Sequence, residues 1–416
     1  MPIELDDLVR TGPGTIAGRY LRSFWQPVMR SEDLLPGNAH PVRIMSEDFT
    51  LYRGHSGKAQ LVAARCPHRL TRLHMGWVEG DDIRCLYHGW KFDADGQCVH
   101  QPGEREAFTR STRIASFPTE EYLGLVWCYL GEGHAPPMRR YPDFERPGLL
   151  SVGIPERWPC NFFNRLDNAT DLFHVLATHR ETMAREANVA PQGVDGGWLA
   201  PECKFAETDY GIETTMKGAS GSTSYFHFLM PNTNAIAAHT GRVEGFRDGS
   251  RQWKAEMFIR VPIDDEHCVS FPMALIDVHG EEAERVRAQR DKARRELDAE
   301  ALIERQAQAI IAGTMRIGDM DPRMSAFYSF LVEDYACQVG QGPIADRANE
   351  RLGQIDQGVV MLRRMWMREL TAFAEGRPTK PWAVPQGLID KTEPQPSLAA
   401  GQPSALLSTQ SHPESA

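Results

Sequence analysis

The sequence has little that would suit a membrane protein or a secreted one. No run of about 18 apolar residues occurs in the 416-residue chain, so the sequence predicts no transmembrane helix. The first residues, MPIELDD, are acidic and lack the basic region and apolar stretch of a secretion signal. These two absences predict a cytoplasmic protein.

Positive charge is also scarce. The chain has 46 lysines and arginines against 56 aspartates and glutamates, which gives a formal net charge of -10 at pH 7. It therefore has no basic footprint of the kind that nucleic-acid-binding proteins carry, and this class of partner is disfavoured. A Gly-x-Gly-x-x-Gly motif after a strand is missing as well, so the chain is not predicted to bind a nicotinamide or a flavin itself.

The hydrophobic pattern predicts two parts joined by a proline- and arginine-rich linker at 136–142. The first part is rich in strand and turn signals, including a hairpin turn at Asp93–Gly96. The second part opens with helical spacing over Asn164–Thr178. It continues between 211 and 261 with alternating segments, which predict antiparallel strands with one wet face.

Helices are predicted again toward the C-terminal end. Residues 281–311 are heavily charged, which is typical of a solvated surface helix. Residues 352–373 predict a second helix with an apolar stripe formed by Val359, Val360, Leu362, Met365, Leu370 and Phe373. After Val384 the sequence is rich in proline, serine and glutamine, and we predict a flexible tail there.

The strongest chemical signal is a pair of cysteine–histidine motifs. The chain has eight cysteines, and in a cytoplasmic protein these are better interpreted as metal ligands and buried thiols than as disulfides. Cys66 and His68 form a C-x-H motif, and Cys85 and His88 form a C-x-x-H motif. Two thiolates and two imidazoles are a ligand set that zinc and iron–sulfur chemistry can both use.

The arrangement of these ligands favours iron–sulfur chemistry. Zinc fingers usually pair Cys with Cys and His with His, whereas each motif here pairs Cys with His. The loop pair resembles that of Rieske proteins, in which two histidines replace two cysteines on one iron of a [2Fe-2S] cluster. The run from Tyr87 to Trp90 is what their second loop usually shows. One departure is Leu70, where the family commonly has glycine.

A second metal signal follows in the helical segment. Asp171 and His174 are three residues apart, so on a helix they share a face. His179 follows five residues later and needs a helix end or a distortion to reach His174. Two imidazoles and a carboxylate form the facial triad of non-heme ferrous iron, although a capped helix with surface histidines would give the same pattern.

In this order, the two signals resemble the alpha subunits of Rieske ring-hydroxylating oxygenases over residues 20–375. The resemblance implies that His174 and His179 hold a mononuclear iron, and that Asp171 links this site to His88 of a neighbouring subunit. It implies Asp334 as the third ligand, because the stretch after it looks like the phthalate dioxygenase branch. Other carboxylates that could take this place are Glu333 and Asp346, and further off Asp319 and Asp321.

The resemblance also implies an α+β fold. An N-terminal lead-in (1–40) would precede an all-β Rieske [2Fe-2S] domain (41–150). A helix-grip catalytic domain with a curved antiparallel sheet (151–383) and the tail (384–416) would follow. The implied protein is a head-to-tail trimer, or a dimer of such trimers. It takes electrons from a separate reductase of the flavin or ferredoxin type and oxidises an aromatic compound with dioxygen. A Rieske electron carrier is the alternative, but it would leave the second metal signal unexplained.

The substrate is the least determined part. An aromatic carboxylate or a methoxylated lignin-type aromatic, such as phthalate or dehydrodivanillate, is implied by the branch, and both hydroxylation and O-demethylation fit. Position in the sequence suggests four pocket residues, although ordinary core or loop duty would explain each of them: Asn232, Asn234, His239 and Trp253.

Overall fold

A computed structural model describes residues 3–187, 202–217, 223–240, 252–296, 299–321 and 324–390. The first part of the chain is built almost entirely of short strands. Its strands are β1 Gln26–Arg30, β2 Ala39–Ile44, β3 Glu47–Arg53, β4 Ala59–Ala63, β5 Trp77–Glu79, β6 Asp82–Arg84, β7 Lys91–Phe92, β8 Cys98–His100, β9 Ser116–Phe117, β10 Thr119–Tyr122 and β11 Leu125–Cys128. Its helices are α1 Ile16–Arg22 and α2 Glu106–Ser111.

These strands form three small antiparallel sheets. The orders are β1-β11-β10, β2-β3-β4-β9 and β5-β6-β7-β8. The hairpin predicted at Asp93–Gly96 is confirmed, because it joins β7 to β8, and Gly96 has a φ of +81° that favours glycine. The third sheet projects two loops that hold the cysteine–histidine motifs.

The second part is a large antiparallel sheet flanked by helices, as the sequence predicts. Its strands are β12 Leu149–Val152, β13 Glu156–Trp158, β14 Glu202–Glu207, β15 Gly211–Lys217, β16 Thr223–Leu229, β17 Thr233–Thr240, β18 Gln252–Pro262 and β19 Cys268–Ile276. The sheet order is β12-β19-β18-β17-β16-β15-β14, and β13 also pairs with β19. Its helices are α3 Phe162–Thr170, α4 Phe173–Thr178, α5 Arg180–Ala187, α6 Gly280–Glu296, α7 Ala299–Ile311, α8 Ala326–Gly340 and α9 Gln357–Ala374.

Helix α9 supplies the centre of the core. The predicted apolar stripe is confirmed, since Val359, Leu362, Met365 and Leu370 are buried. Trp366, also fully buried, packs edge-on against three aromatic rings, with centroids 5.5 Å from Tyr20, 5.9 Å from Phe162 and 5.4 Å from Phe163. Trp366 thus ties α1, α3 and α9 into one apolar cluster.

Charge and close packing fix α3 against α9. Asp167 on α3 accepts hydrogen bonds from Arg347 at 2.9 Å and from Arg363 at 2.7 Å, and both guanidinium groups are buried. A Cβ added at Gly358 would lie 2.2 Å from the carbonyl oxygen of Thr170, so only glycine lets the two helices approach this closely. The orientation of α3, near the start of the second part, is therefore set by residues near the end of that part.

Two predictions differ from the structure. The helix predicted over Asn164–Thr178 is two helices, α3 and α4, with Asp171 in extended backbone between them. Asp171 therefore does not share a helix with His174, and its carboxylate is free to bond to backbone N–H groups. The predicted flexible tail begins inside a packed segment, because Leu388 and Ile389 are buried. Residues 391–416 of that tail lie outside the described residues.

Within the described ranges, no helix is long and apolar enough to cross a bilayer.

We expect Trp366→Ala to lower the free energy of unfolding by about 3–5 kcal/mol, because it leaves a cavity among rings that cannot collapse into it. The measurement is equilibrium denaturant unfolding. The control is Trp77→Ala, since the Trp77 side chain is 51% exposed and should cost far less. Equal losses from the two substitutions would contradict the central place given to Trp366.

Candidate metal centres

The cysteine–histidine motifs lie in two loops with matching backbone hydrogen bonds. In the loop between β4 and β5, the N–H of Leu70 donates to the carbonyl of Cys66 at 2.9 Å. In the loop between β6 and β7, the N–H of Gly89 donates to the carbonyl of Cys85 at 3.1 Å. Each loop therefore closes four residues after its cysteine.

Leu70 and Gly89 occupy the same place in these two turns. Their φ angles are +60° and +74°, in the left-handed region that favours glycine. The departure noted in the sequence thus puts a leucine where the backbone suits glycine, and its side chain is 61% exposed. The leucine strains the loop locally without contributing a ligand atom.

The four candidate ligands divide into a buried pair and an exposed pair. Cys66 and Cys85 are buried, and each thiol lies in the apolar core beneath the loops. Burial, followed by the neighbouring thiol, raises the pKa of Cys66. His68 and His88 are exposed, with ring centroids 4.4 Å apart. Thiols inside and imidazoles outside fit a cluster that has one iron near the surface.

Trp90 supports the exposed imidazoles from below. Its ring stacks on His68 with centroids 4.6 Å apart and an interplanar angle of 8°, and Phe108 packs edge-on against Trp90. Because Trp90 is buried, this stack limits how far His68 can turn. The orientation of the imidazole is thus set by packing.

The second metal signal forms a compact group in space. His174, His179 and Asp334 each offer a ligand atom, and these atoms all lie within 4.8 Å of one another. The Nε2 atoms of the two histidines are each 3.6 Å from Oδ1 of Asp334. Among the described residues, this is the group whose ligand atoms lie close enough together to hold one metal ion.

Helix ends create this geometry. Helix α4 begins after the break at Asp171 and ends at Thr178, so His179 is the residue at which the chain turns into α5. This is the helix end that the five-residue spacing of the histidines requires. Helix α8 brings Asp334 from the other side, and Asn168 of α3 donates to its Oδ1 at 3.4 Å.

The second ring nitrogen of each histidine is also engaged. Nδ1 of His174 is hydrogen-bonded to the backbone carbonyl of Asp171, and Nδ1 of His179 lies 2.8 Å from Oε2 of Glu333. Both acceptors favour a proton on Nδ1, which leaves the lone pair of Nε2 toward Asp334. The two imidazoles are therefore oriented as metal ligands.

The carboxylate of Asp171 faces backbone N–H groups. Its Oδ1 accepts from Phe173 at 3.0 Å and from His174 at 3.4 Å, at the start of α4. Burial raises its pKa, and the negative charge of Asp356 adds to the shift. Asp171 thus orders the turn that carries His174.

The other carboxylates considered from the sequence lie elsewhere. Glu333 points to the far side of His179, and Asp346 is exposed and accepts from Asn349 at 2.7 Å. Asp319 accepts from the backbone N–H of Arg316, and neither it nor Asp321 belongs to the described ligand group.

Sequence reasoning missed a set of buried charges beside Asp334. Arg165 lies 3.3 Å from the ring centre of Trp158 and donates to Glu156 at 3.3 Å. Burial lowers the pKa of Arg260 to about 9, and the negative charge of Asp334 opposes that shift. Burial raises the pKa of Glu156, and the charge of Asp334 adds to this rise. Arg165 lies three residues before Asn168 on α3. The sequence pattern of this helix does not distinguish a buried arginine at that position from an exposed one.

Of the four pocket residues suggested by position, the structure describes two side chains. Asn232 is buried, and its amide donates to Gln26 at 2.9 Å and to the carbonyl of Arg260 at 2.8 Å. Asn234 is buried, and its Oδ1 has no hydrogen-bond partner among the described atoms. His239 and Trp253 are paired in β17 and β18, but their side chains lie outside the described residues.

Comparison with known proteins identifies the loop pair. Residues 24–118 match the Rieske [2Fe-2S] domain family, which decides against zinc. The chain is 29% identical over 409 residues to the 5,5'-dehydrodivanillate O-demethylase oxygenase subunit of Sphingobium sp. (strain NBRC 103272 / SYK-6), covering 94% of this chain and 85% of the relative. It is 28% identical to the phthalate 4,5-dioxygenase oxygenase subunit of Pseudomonas putida, covering 86% and 83%.

Solved structures support the fold over most of the chain. NdmA of Pseudomonas putida CBB5, solved with caffeine, superposes with a TM-score of 0.61 at 18% identity and covers 86% of this chain and 93% of its own. The α+β architecture, with an N-terminal all-β domain, is thereby confirmed. Together with the His-His-Asp group, these similarities give the chain a Rieske cluster and a mononuclear iron as cofactors. The chain thus contains a Rieske [2Fe-2S] domain and is similar over most of its length to the oxygenase subunits of aromatic oxygenases.

Proposed function

We propose that this oxygenase uses dioxygen and electrons from a separate NAD(P)H-dependent reductase to hydroxylate or O-demethylate an aromatic carboxylate. The observation that carries the proposal is the meeting of His174, His179 and Asp334 in a chain that also has a Rieske loop pair. The two relatives act on phthalate and on dehydrodivanillate, and both names denote aromatic carboxylates. A cytoplasmic location is part of the same proposal.

The proposed ligands follow from the donor chemistry. Cys66 and Cys85 would hold the inner iron of the cluster, and His68 and His88 the outer one, since thiols suit the buried side and neutral imidazoles the exposed side. His174, His179 and Asp334 would hold the mononuclear iron through one face, which leaves the other face open. When bound, the cluster supplies electrons one at a time and the mononuclear iron supplies oxygen activation.

The protein around the second site supports its use with a substrate. Arg260 contacts Ser270 and lies over Phe258 on the sheet face that meets α3, and Ile236 and Asn234 lie on the same face of β17. We propose that this face lines the aromatic pocket, with Asn234 offering a polar contact. His239 and Trp253 remain proposed pocket residues because of their positions in the sequence.

We further propose that electrons pass between subunits of a head-to-tail trimer. The cluster loops carry exposed apolar side chains beside the exposed histidines, at Leu70, Leu86 and Tyr87. A second exposed apolar pair, Leu352 and Ile355, stands next to Asp356, whose charge acts on Asp171. Apolar surfaces at both sites favour their contact across a repeating head-to-tail interface. Such an interface forms a closed ring when the rotation between subunits is about 120°. Asp171 would then bridge to His88 of the next subunit.

The domain division proposed with this function is 41–150 for the cluster domain, 151–383 for the catalytic domain, 1–40 for the lead-in and 384–416 for the tail. Strand β1 lies within the lead-in and pairs with β11, so the lead-in is tied to the cluster domain.

The alternative, a Rieske electron carrier, gives no reason for the His-His-Asp group. Iron analysis separates the two, because the oxygenase should contain three irons per chain and the carrier two.

The ligand assignments predict that each metal centre can be lost without the other. Cys66→Ser should abolish the visible absorption and the low-g EPR signal of the reduced cluster, because a hydroxyl replaces a required thiolate. His174→Ala and Asp334→Ala should lose mononuclear iron and turnover but keep that spectrum. A normal Rieske spectrum in Cys66→Ser, or full activity in Asp334→Ala, would show that the residue is not a ligand.

Substrate class is tested by oxygen uptake with a surrogate reductase and a matched panel. We expect turnover with aromatic carboxylates, such as phthalates and methoxylated benzoates, and at least ten times less with the corresponding methyl esters. Formaldehyde release would identify O-demethylation, and a hydroxylated ring without formaldehyde would identify hydroxylation. Equal rates with acids and esters would contradict the carboxylate preference.

The proposed bridge predicts that Asp171→Asn keeps both metals and slows oxidation of the reduced cluster in single turnover with substrate and oxygen. The amide is nearly isosteric with the carboxylate, but it has lost the charge that would orient two imidazoles. Co-expression with Cys66→Ser chains should restore partial activity that neither homotrimer has, because some interfaces then pair an intact cluster with an intact Asp171. Wild-type cluster oxidation in Asp171→Asn would refute the bridge.

A further inference from the structure

Glu333 has the most enclosed carboxylate near the proposed iron site. Its side chain is fully buried, although the neighbouring Asp334 is 21% exposed. Oε2 lies 2.8 Å from Nδ1 of His179, and Oε1 accepts from the hydroxyl of Thr182 at 2.7 Å. Two adjacent residues of α8 therefore contact opposite edges of the same imidazole.

The two histidines of the site differ in what holds them. Nδ1 of His174 bonds to a neutral backbone carbonyl, whereas Nδ1 of His179 bonds to a carboxylate. A hydrogen bond to an ionised acceptor is shorter and stronger than one to a neutral group. It makes the imidazole more electron-rich at Nε2, which faces Asp334. The two proposed ligands therefore differ in the acceptor of their Nδ1 hydrogen bond, and so in the electron density at Nε2.

The partners of Glu333 are informative because burying a carboxylate is costly unless it is paired. Among the described residues, no lysine or arginine forms an ion pair with it, and its ion-pair partner is His179. Its countercharge would therefore come from the metal ion that His179 binds, through the polarised N–H of the imidazole. If Glu333 were buried only to stabilise the fold, a guanidinium group would be a better partner for it. Asp167 has such partners.

We infer that Glu333 is a positioning residue for the mononuclear metal. It fixes the tautomer and orientation of His179 and strengthens this histidine as a ligand, and Thr182 holds Glu333 in place. The inference rests on the proposed function, since it requires that His174, His179 and Asp334 bind the metal.

The test measures metal binding directly. Holoprotein stripped of mononuclear iron, with its cluster kept oxidised, is dialysed against Co(II) and a competing chelator, and bound cobalt is counted per cluster. The EPR signal of high-spin Co(II) reports the ligand field, because the oxidised cluster is EPR-silent. The variants are Glu333→Gln, Glu333→Ala and Thr182→Val, and thermal unfolding of each is followed in parallel.

We expect Co(II) affinity to fall by about 10–100-fold in Glu333→Ala, and by less in Glu333→Gln, which keeps an acceptor but not the charge. Thr182→Val, which leaves the carboxylate but removes its support, should lose least. The Co(II) EPR signal should change in both Glu333 variants. If Glu333→Ala fails to fold, the nearly isosteric Glu333→Gln decides the question.

Glu369→Gln is the matched control. Glu369 is also buried and accepts from the backbone N–H of Lys380 at 2.8 Å, but its partners lie on α9 and beyond it. Its neutralisation should lower the Tm and leave Co(II) affinity and EPR unchanged. Wild-type affinity and an unchanged EPR signal in Glu333→Gln would overturn the inference. Failure of the wild-type protein itself to bind one Co(II) per cluster would instead refute the proposed metal site, and the inference with it.

Discussion

The arrangement of the second part depends on one constraint: two histidines from a broken helix must meet a carboxylate from α8. The break at Asp171 and the end of α4 at Thr178 turn His174 and His179 toward the same point. Asp167, clamped by Arg347 and Arg363, keeps α3 from moving away from this point. Because the ligand atoms lie within 4.8 Å of one another, a small shift of any of these helices would open the group.

The two metal centres have opposite surroundings, and this suits their different work. The histidines of the cluster loops are exposed at the tip of a small sheet, where a second protein surface can reach them. The His-His-Asp group lies where α4 and α5 pack on α8, and His179 is almost fully enclosed there. An electron-transfer group benefits from exposure at an interface, whereas oxidation of a substrate benefits from a site that excludes water.

Two groups of buried charged residues surround the second site. Glu333 pairs with His179. On the sheet side, Arg165 donates to Glu156, and the charge of Asp334 acts on Glu156 and on Arg260. Several of their polar atoms have no partner among the described atoms, including Nε of Arg165 and Nε of Arg260. Such groups are costly to bury, so their concentration beside one proposed site indicates that the site, and not the core, accounts for them.

The sequence alone determined the elements whose signals are local. The spacing of Cys66, His68, Cys85 and His88 specifies the loop pair, the turn at Asp93–Gly96 specifies a hairpin, and the apolar period specifies α9. Asp334 is indicated only by the resemblance, since it lies 155 positions after His179 and no local pattern joins the two residues. Only the tertiary structure brings Asp334 near Nε2 of both histidines and Glu333 to Nδ1 of His179, because adjacent helix positions point about 100° apart and the histidines come from another part of the chain. It also decided that Asp171 breaks the helix and that residues up to 390 pack on the molecule, because contacts with distant residues outweigh local propensity there.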